Sequence, residues 1–306
     1  LYGVLSLAGF YSMDDIKQFR QWGTVTPGHP EWDPSRGVEN SSGPLGQGHA
    51  MALGAAIAER FIAARFGEWT AHKTYAYISD GAIEEEISQG VGRVAGHLGL
   101  SNLIMFYDSN NVQLSTLVDE VDGEDVAAKY RAWNWNVIEI DGTCADEIRK
   151  AIKAAQAETE RPTIIIGKTI MGCGAVDAAG NKFEGKISVH GQPLSGAGAD
   201  FAGTIKNLGG DPEAPFQIFP ESKELYAARK EELKAWSAQK DAEEAEWRKN
   251  NPELAEKLDN FFDGKLPEID YSAIEMKENI ATRAASATVL GTFAEKIENM
   301  IVSSAD

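Results

Sequence analysis

Two short stretches constrain this chain more than any others: Ile78-Ser-Asp-Gly81 and, some thirty residues later, Phe106-Tyr-Asp-Ser-Asn-Asn-Val112. Tyr75, Tyr77 and Ile78 read as the end of a buried strand, which Asp80 and Gly81 break. Leu103 to Tyr107 is a second apolar run, closed by the polar residues Asp108 to Asn111. In an open parallel sheet, ligands bind outside the carboxyl ends of the strands, and both polar clusters fall there. The Asp80 carboxylate, the Asn110 carboxamide oxygen and the Val112 carbonyl are hard oxygen donors. They suit Mg²⁺ or Ca²⁺, with the remaining coordination positions open to water or a diphosphate. Gly81 lets backbone approach a phosphate, and the helix after it offers free N–H groups. Either piece alone also reads as a turn or a polar loop. Together, at this spacing, they point to a metal–diphosphate site.

The rest of the chain supplies the sheet that such a site needs. Helical patterns over Met51–Phe66, Glu84–Leu98, Val126–Trp133 and Ala145–Ala157 alternate with strands at Thr74–Ser79, Leu103–Tyr107, Asn136–Ile140 and Thr163–Ile166. In the fourth helix, Ile148, Ala151, Ile152 and Ala155 share one face. Strands alternating with helices predict an α/β fold, a doubly wound parallel sheet flanked by helices, with right-handed crossovers. Ahead of it, residues 1–9 read as a helix already under way, so the start reads as a cut inside a domain. Ser12 caps a second helix, and Pro27 to Pro34 is irregular. Beyond the sheet, Lys168–Pro193 is punctuated by glycines and reads as a covering loop, and Gly196–Pro220 as a surface connection. Glu221–Asn250 is a long charged helix with Leu225, Ala228, Leu233 and Trp236 as a core-facing stripe. Glu253–Phe262 continues helical after Pro252, and Ser286–Glu298 is the last helix expected.

Charge and composition exclude some functions. The formal net charge of -18 argues against a nucleic-acid surface, which should be basic. An anionic substrate would need a local basic pocket against that field. Two cysteines, Cys144 and Cys173, build no disulfide framework and favour a reducing, cytoplasmic home. No apolar run approaches the roughly 18–20 residues of a membrane span.

The pair of stretches resembles the thiamine-diphosphate motif, Gly-Asp-Gly followed by Asn-Asn. The surrounding text narrows the resemblance to the transketolase family. It is carried by Thr26-Pro-Gly-His-Pro-Glu31, Gly37-Val-Glu39, Gly43-Pro-Leu-Gly-Gln-Gly48, Lys168-Thr-Ile-Met-Gly172 and Val189-His-Gly-Gln-Pro-Leu194. Thr282-Arg-Ala-Ala-Ser286 and the closing Ser304-Ala-Asp306 extend it to the end of the chain.

That resemblance implies thiamine diphosphate and a divalent metal as cofactors, phosphorylated sugars as substrates, and a homodimer. The reaction implied is transfer of a two-carbon ketol unit, as in the pentose phosphate pathway. Asp80, Asn110 and Val112 would hold the metal, and Gly43, Leu45, Asp80, Gly81, Asn110 and His190 the cofactor. His29 and His190 would serve catalysis and contact the substrate, His29 near the reactive carbon of the cofactor and His190 at the cofactor diphosphate and the sugar; Arg283 would bind the sugar phosphate, and Asp306 would sit at a substrate-facing turn. The implied domains are 1–215 for the diphosphate, 216–270 as a helical linker and 271–306 opening the pyrimidine domain. The glutamate that activates the cofactor would lie beyond residue 306, so the 306 residues alone are expected to be inactive.

Three positions depart from the family pattern. Ser79 stands for the first glycine of the motif, a tolerable change if no positive φ is needed there. Glu85 matches one of two acids implied in linking paired active sites, while Gly90 replaces the other. Ile187 replaces a histidine three residues before His190. A phosphoketolase, a dihydroxyacetone-forming relative, and a cofactor-binding protein that has lost catalysis are the alternative readings.

Overall fold

The computed structural model describes residues 1–303; Ser304, Ala305 and Asp306, and with them the expectation for Asp306, lie outside the described residues. The elements run α1 (Tyr2–Ala8), α2 (Met13–Lys17), α3 (Gln47–Phe66), β1 (Thr74–Ser79), α4 (Asp80–Glu84), α5 (Glu86–His97) and β2 (Leu103–Ser109). They continue with α6 (Val118–Val121), α7 (Val126–Ala132), β3 (Asn136–Asp141), α8 (Ala145–Ala157), β4 (Thr163–Lys168), α9 (Leu194–Ala197) and α10 (Phe201–Asn207). Last come α11 (Pro220–Asn250), α12 (Pro252–Phe262) and α13 (Thr282–Lys296).

The four strands among the described residues form one parallel sheet in the order β1-β2-β4-β3. Strand residues alternate between its faces, as the pleat requires. Leu103, Met105, Tyr107, Ile164 and Ile166 point to one face, where they pack with Ala56 and Ala95 of α3 and α5 and with Tyr130 of α7. Ile104 and Ile165 point to the other, against Ala151 and Ala155 of α8. Helices thus lie on both faces, the doubly wound arrangement expected. Full burial of each such aliphatic chain contributes about 1.5–3 kcal/mol. In α3 the buried positions His49, Ala52, Ala56 and Glu59 recur at three- and four-residue spacing, one stripe of the helix.

Two expectations about burial are corrected. Tyr75 and Tyr77 are 54% and 70% exposed, and only Ile78 of that trio is buried. β1 is an edge strand, α3 packs on one of its faces, and the two tyrosines stand on the other. The apolar stripe of α11 faces solvent: Leu225 is 67% and Trp236 58% exposed, and no residue of the helix is buried. Helical spacing was present there without a partner surface. α10, which lies inside the expected surface connection, starts at Asp200, whose carboxylate accepts from the Gly203 N–H at 2.6 Å.

The chain divides into two compact units, Leu1–Trp236 and Ser237–Asp306, with the boundary inside α11. In the first, Ser12 caps α2 in a reciprocal box with Asp15. In the second, Ala255 and Leu258 are the buried residues of α12, and Arg248 pairs with Asp259. Among the described residues, no helix is long and apolar enough to cross a membrane.

Candidate functional site at the carboxyl ends of the strands

β1 ends at Ser79, and α4 begins at the next residue. Asp80 is therefore the first residue of the helix, 98% buried at the carboxyl edge of the sheet. Ser79 has φ -113°, a value any residue adopts, so the missing glycine costs nothing in backbone freedom. β2 pairs directly with β1, and Ser79 lies opposite Asp108. Two residues later, the Asn110 N–H donates to Asp80 Oδ2 at 3.1 Å. The Val112 N–H donates to Asn110 Oδ1, also at 3.1 Å. Asp80, Asn110 and Val112 are thus joined by consecutive hydrogen bonds across two strand ends.

Tyr107 completes the environment of Asp80, donating its hydroxyl to Oδ1. Burial first, and then the bond to Asp80, raise the Tyr107 phenol above its ordinary range, so it stays a donor. Each Asp80 oxygen accepts one bond within the protein and keeps a further lone pair. The Val112 carbonyl accepts no hydrogen bond among the described residues. A carboxylate, an amide oxygen and a main-chain carbonyl fit a hard divalent cation. Among the described residues there is no cluster of three His, Cys, Asp or Glu side chains placed for a metal, so any ion here depends on the two neutral oxygens.

A cavity of about 390 Å³ opens beside this group, lined by Asp80, Glu84, Asn110, Asp122, Glu139 and Lys168 among others. Its wall is predominantly acidic. Burial raises the Glu84 carboxyl above its usual range, and the neighbouring Asp122, Asp80 and Glu124 add to the shift against the opposing bond from Gln113. An anionic group can enter only with a cation to offset this field.

The glycine-rich loop before α3 reaches the same place. Gly81 lies against Leu45, since a Cβ at Gly81 would meet Leu45 Cδ1 at 3.4 Å. Gly43 lies under the ring of His29, whose nearest atoms would stand 3.3–3.5 Å from a Cβ. Gly46 adopts φ +78° as the N-cap of α3, a conformation that favours glycine. His29, Gly43, Leu45, Gly81, Asp80, Asn110 and Val112 thus form a continuous series of neighbours.

His190 follows a single turn of 3₁₀ helix, Ile187–Val189, in the otherwise irregular 168–193 segment. Its Nδ1 is buried and without a hydrogen-bond partner among the described residues. Val189 anchors the segment by filling the space over Gly172. Arg283 lies in the first turn of α13, exposed, in the second compact unit. A Cβ at Gly90 would meet nothing within 4 Å, so that position has room for a larger side chain.

Sequence reasoning passed over Tyr107 and His49. Tyr107 read as the end of an apolar run, although its place one pleat from the polar cluster was a signal. His49 directly follows the Gly46-Gln-Gly48 stretch; it is buried, and neither ring nitrogen has a partner among the described residues.

Residues 1–267 match the family described as transketolase, thiamine diphosphate binding domain. The chain is 39% identical over 319 aligned residues to the transketolase of Geobacillus stearothermophilus, covering 100% of this chain and 46% of that one. To the transketolase of Streptococcus pyogenes it is 38% identical, covering 100% and 42%. The fold superposes on the transketolase of Leishmania mexicana with a TM-score of 0.87 at 32% identity, over 97% of this chain and 44% of that one. With the Pichia stipitis transketolase solved in complex with sedoheptulose 7-phosphate, the TM-score is 0.84 at 30% identity, over 97% and 44%. The chain spans less than half the length of these relatives.

Proposed function

The chain belongs to the transketolase family, and from that premise we propose that it forms the diphosphate-gripping part of an enzyme that moves a two-carbon ketol unit between phosphorylated sugars. The observation that carries the reading is the bonded series Val112–Asn110–Asp80 beside the acidic cavity. Asp80, Asn110 and the Val112 carbonyl hold Mg²⁺ or Ca²⁺, and the ion offsets both the acidic wall and a diphosphate. Gly43, Leu45 and Gly81 present backbone and an apolar side chain to thiamine diphosphate, and His190 donates to its phosphate oxygens. When bound, the cofactor supplies the carbanion that two-carbon transfer requires.

The remaining work falls to this chain's own side chains. His29, resting on Gly43, and His190 hold and move protons at the sugar carbonyl and hydroxyls. Tyr107 fixes the Asp80 carboxylate in one rotamer, so the ion meets a preset ligand. Arg283 pairs with the sugar phosphate through its planar fork. Residues 1–215 make the diphosphate domain, 216–270 a helical linker and 271–306 the opening of a pyrimidine domain. The enzyme works as a cytoplasmic homodimer in pentose phosphate interconversion.

The test is a titration of the full-length protein with thiamine diphosphate and Mg²⁺, followed by tryptophan fluorescence. Asp80→Ala is expected to weaken metal-dependent binding by about 100-fold or more. Wild-type affinity in that variant would remove the assigned anchor, and wild-type protein without ketol transfer would remove the assigned reaction.

A further inference from the structure

We infer that Arg20 is a positioning residue that fastens the loop carrying His190 to the loop carrying His29; this rests on the reading of the two histidines given above. Arg20 adopts φ +63°, a left-handed conformation that a long side chain rarely takes. Backbone of this kind persists where surrounding structure over-determines it. Here the Arg20 N–H donates to the Thr26 carbonyl at 3.0 Å, closing the turn that leads into Thr26-Pro-Gly-His29. Thr26 is fully buried, and its hydroxyl donates to the Asp15 carbonyl at 2.9 Å, which seats the turn on α2.

The side chain then spans the two loops. Its stem lies across Gly28: a Cβ there would meet Arg20 Nε at 3.1 Å, Cγ at 3.3 Å and Cδ at 3.5 Å. Its Nη1 donates to the Gly191 carbonyl at 3.4 Å, across 171 residues of chain. Gly28 and Gly191 are the immediate neighbours of His29 and His190. Among the described residues, no carboxylate pairs with Arg20, so its hydrogen bond to the other loop is not in competition with an ion pair. Gly191 has φ +69° and packs toward Leu114, with a Cβ there standing 3.8 Å from Leu114 Cδ1. The two histidines are therefore brought into register by one guanidinium, while the backbone turn at residue 20 holds that guanidinium at the required height.

Arg20→Gly separates the two contributions, because glycine accepts the left-handed backbone while removing the tether. In the full-length protein, amide hydrogen exchange at residues 185–193 is expected to rise at least about tenfold, with the thermal midpoint held within about 2 °C. With cofactor saturating, kcat for ketol transfer should fall by about 100-fold, while the affinity for thiamine diphosphate changes by less than about threefold. Arg20→Lys, which keeps a donor but loses the fork, should recover part of the exchange protection and part of kcat. Unchanged exchange at 185–193 in Arg20→Gly overturns the tether, as does a loss of kcat with unchanged exchange. If wild-type protein turns over no sugar, the reading of the reaction fails, and the exchange measurement still decides the tether by itself.

Discussion

Replacing His49 by leucine should stabilise the protein, and by an amount that grows as the pH falls. The imidazole is buried in the first turn of α3, and neither nitrogen has a hydrogen-bond partner among the described residues. Burial alone lowers its pKa from 6.5 to about 4. Between these values the unfolded chain binds a proton that the folded chain refuses. The stability linked to this group is therefore fully present above pH 6.5, is lost as the pH falls towards 4, and changes no further below that. A shift of that size, at 1.36 kcal/mol per pH unit, corresponds to about 3 kcal/mol. At pH 7 the neutral ring still leaves polar nitrogens unpaired, which costs about 1–3 kcal/mol against an apolar side chain. His49→Leu should therefore gain about 1–3 kcal/mol at pH 7 and about 4–6 kcal/mol at pH 4. Urea unfolding of both proteins, followed by tryptophan fluorescence at pH 7, 6, 5 and 4, measures the difference directly. Parallel pH curves would refute the reasoning, because they would mean that His49 titrates alike in the folded and unfolded chain.

Two other substitutions test the packing at the two ends of the sheet. A Cβ at Gly96 would stand only 1.7 Å from the Trp133 carbonyl oxygen, so Gly96→Ala must push α5 off the α7–β3 connection; a loss of about 3 kcal/mol in chemical unfolding is expected, and a neutral result would contradict the close approach. Tyr107→Phe removes the hydroxyl that donates to buried Asp80; it should cost about 2 kcal/mol, and an unchanged urea midpoint would show that the carboxylate does not depend on that bond.

The strands were legible because their apolar runs are short, bounded and separated by helical spacing. Each begins where the pattern begins, but β2 and β4 run on through Asp108-Ser109 and Gly167-Lys168. Asp108, Ser109 and Lys168 are polar because of what lies beyond the sheet edge, and Gly167 lies against the Phe106 ring, which a Cβ would meet at 2.5 Å, while all four backbones remain paired in the sheet. Tyr75 and Tyr77 misled for a related reason: alternation reveals that a strand has two faces, and coverage of each face depends on elements far away in sequence. The α11 stripe shows the same thing for a helix. The Asp80–Asn110–Val112 group was legible from residue type and spacing, since adjacent parallel strands bring their ends together. Arg20 was not, because its role arises from a partner 171 residues away; Tyr107 was overlooked because it closes an apolar run, although pairing of the strand ends brings its hydroxyl to Asp80.

At Ser79–Asp80 the chain passes from sheet to helix across a single peptide. No slack exists at that joint to absorb an added or deleted residue. A one-residue insertion would turn the carboxylate by about 100° around the axis of α4 and swing it out of line with the tip of β2. The joint works as a gauge block, tolerant of a serine in place of a glycine and intolerant of any change in length.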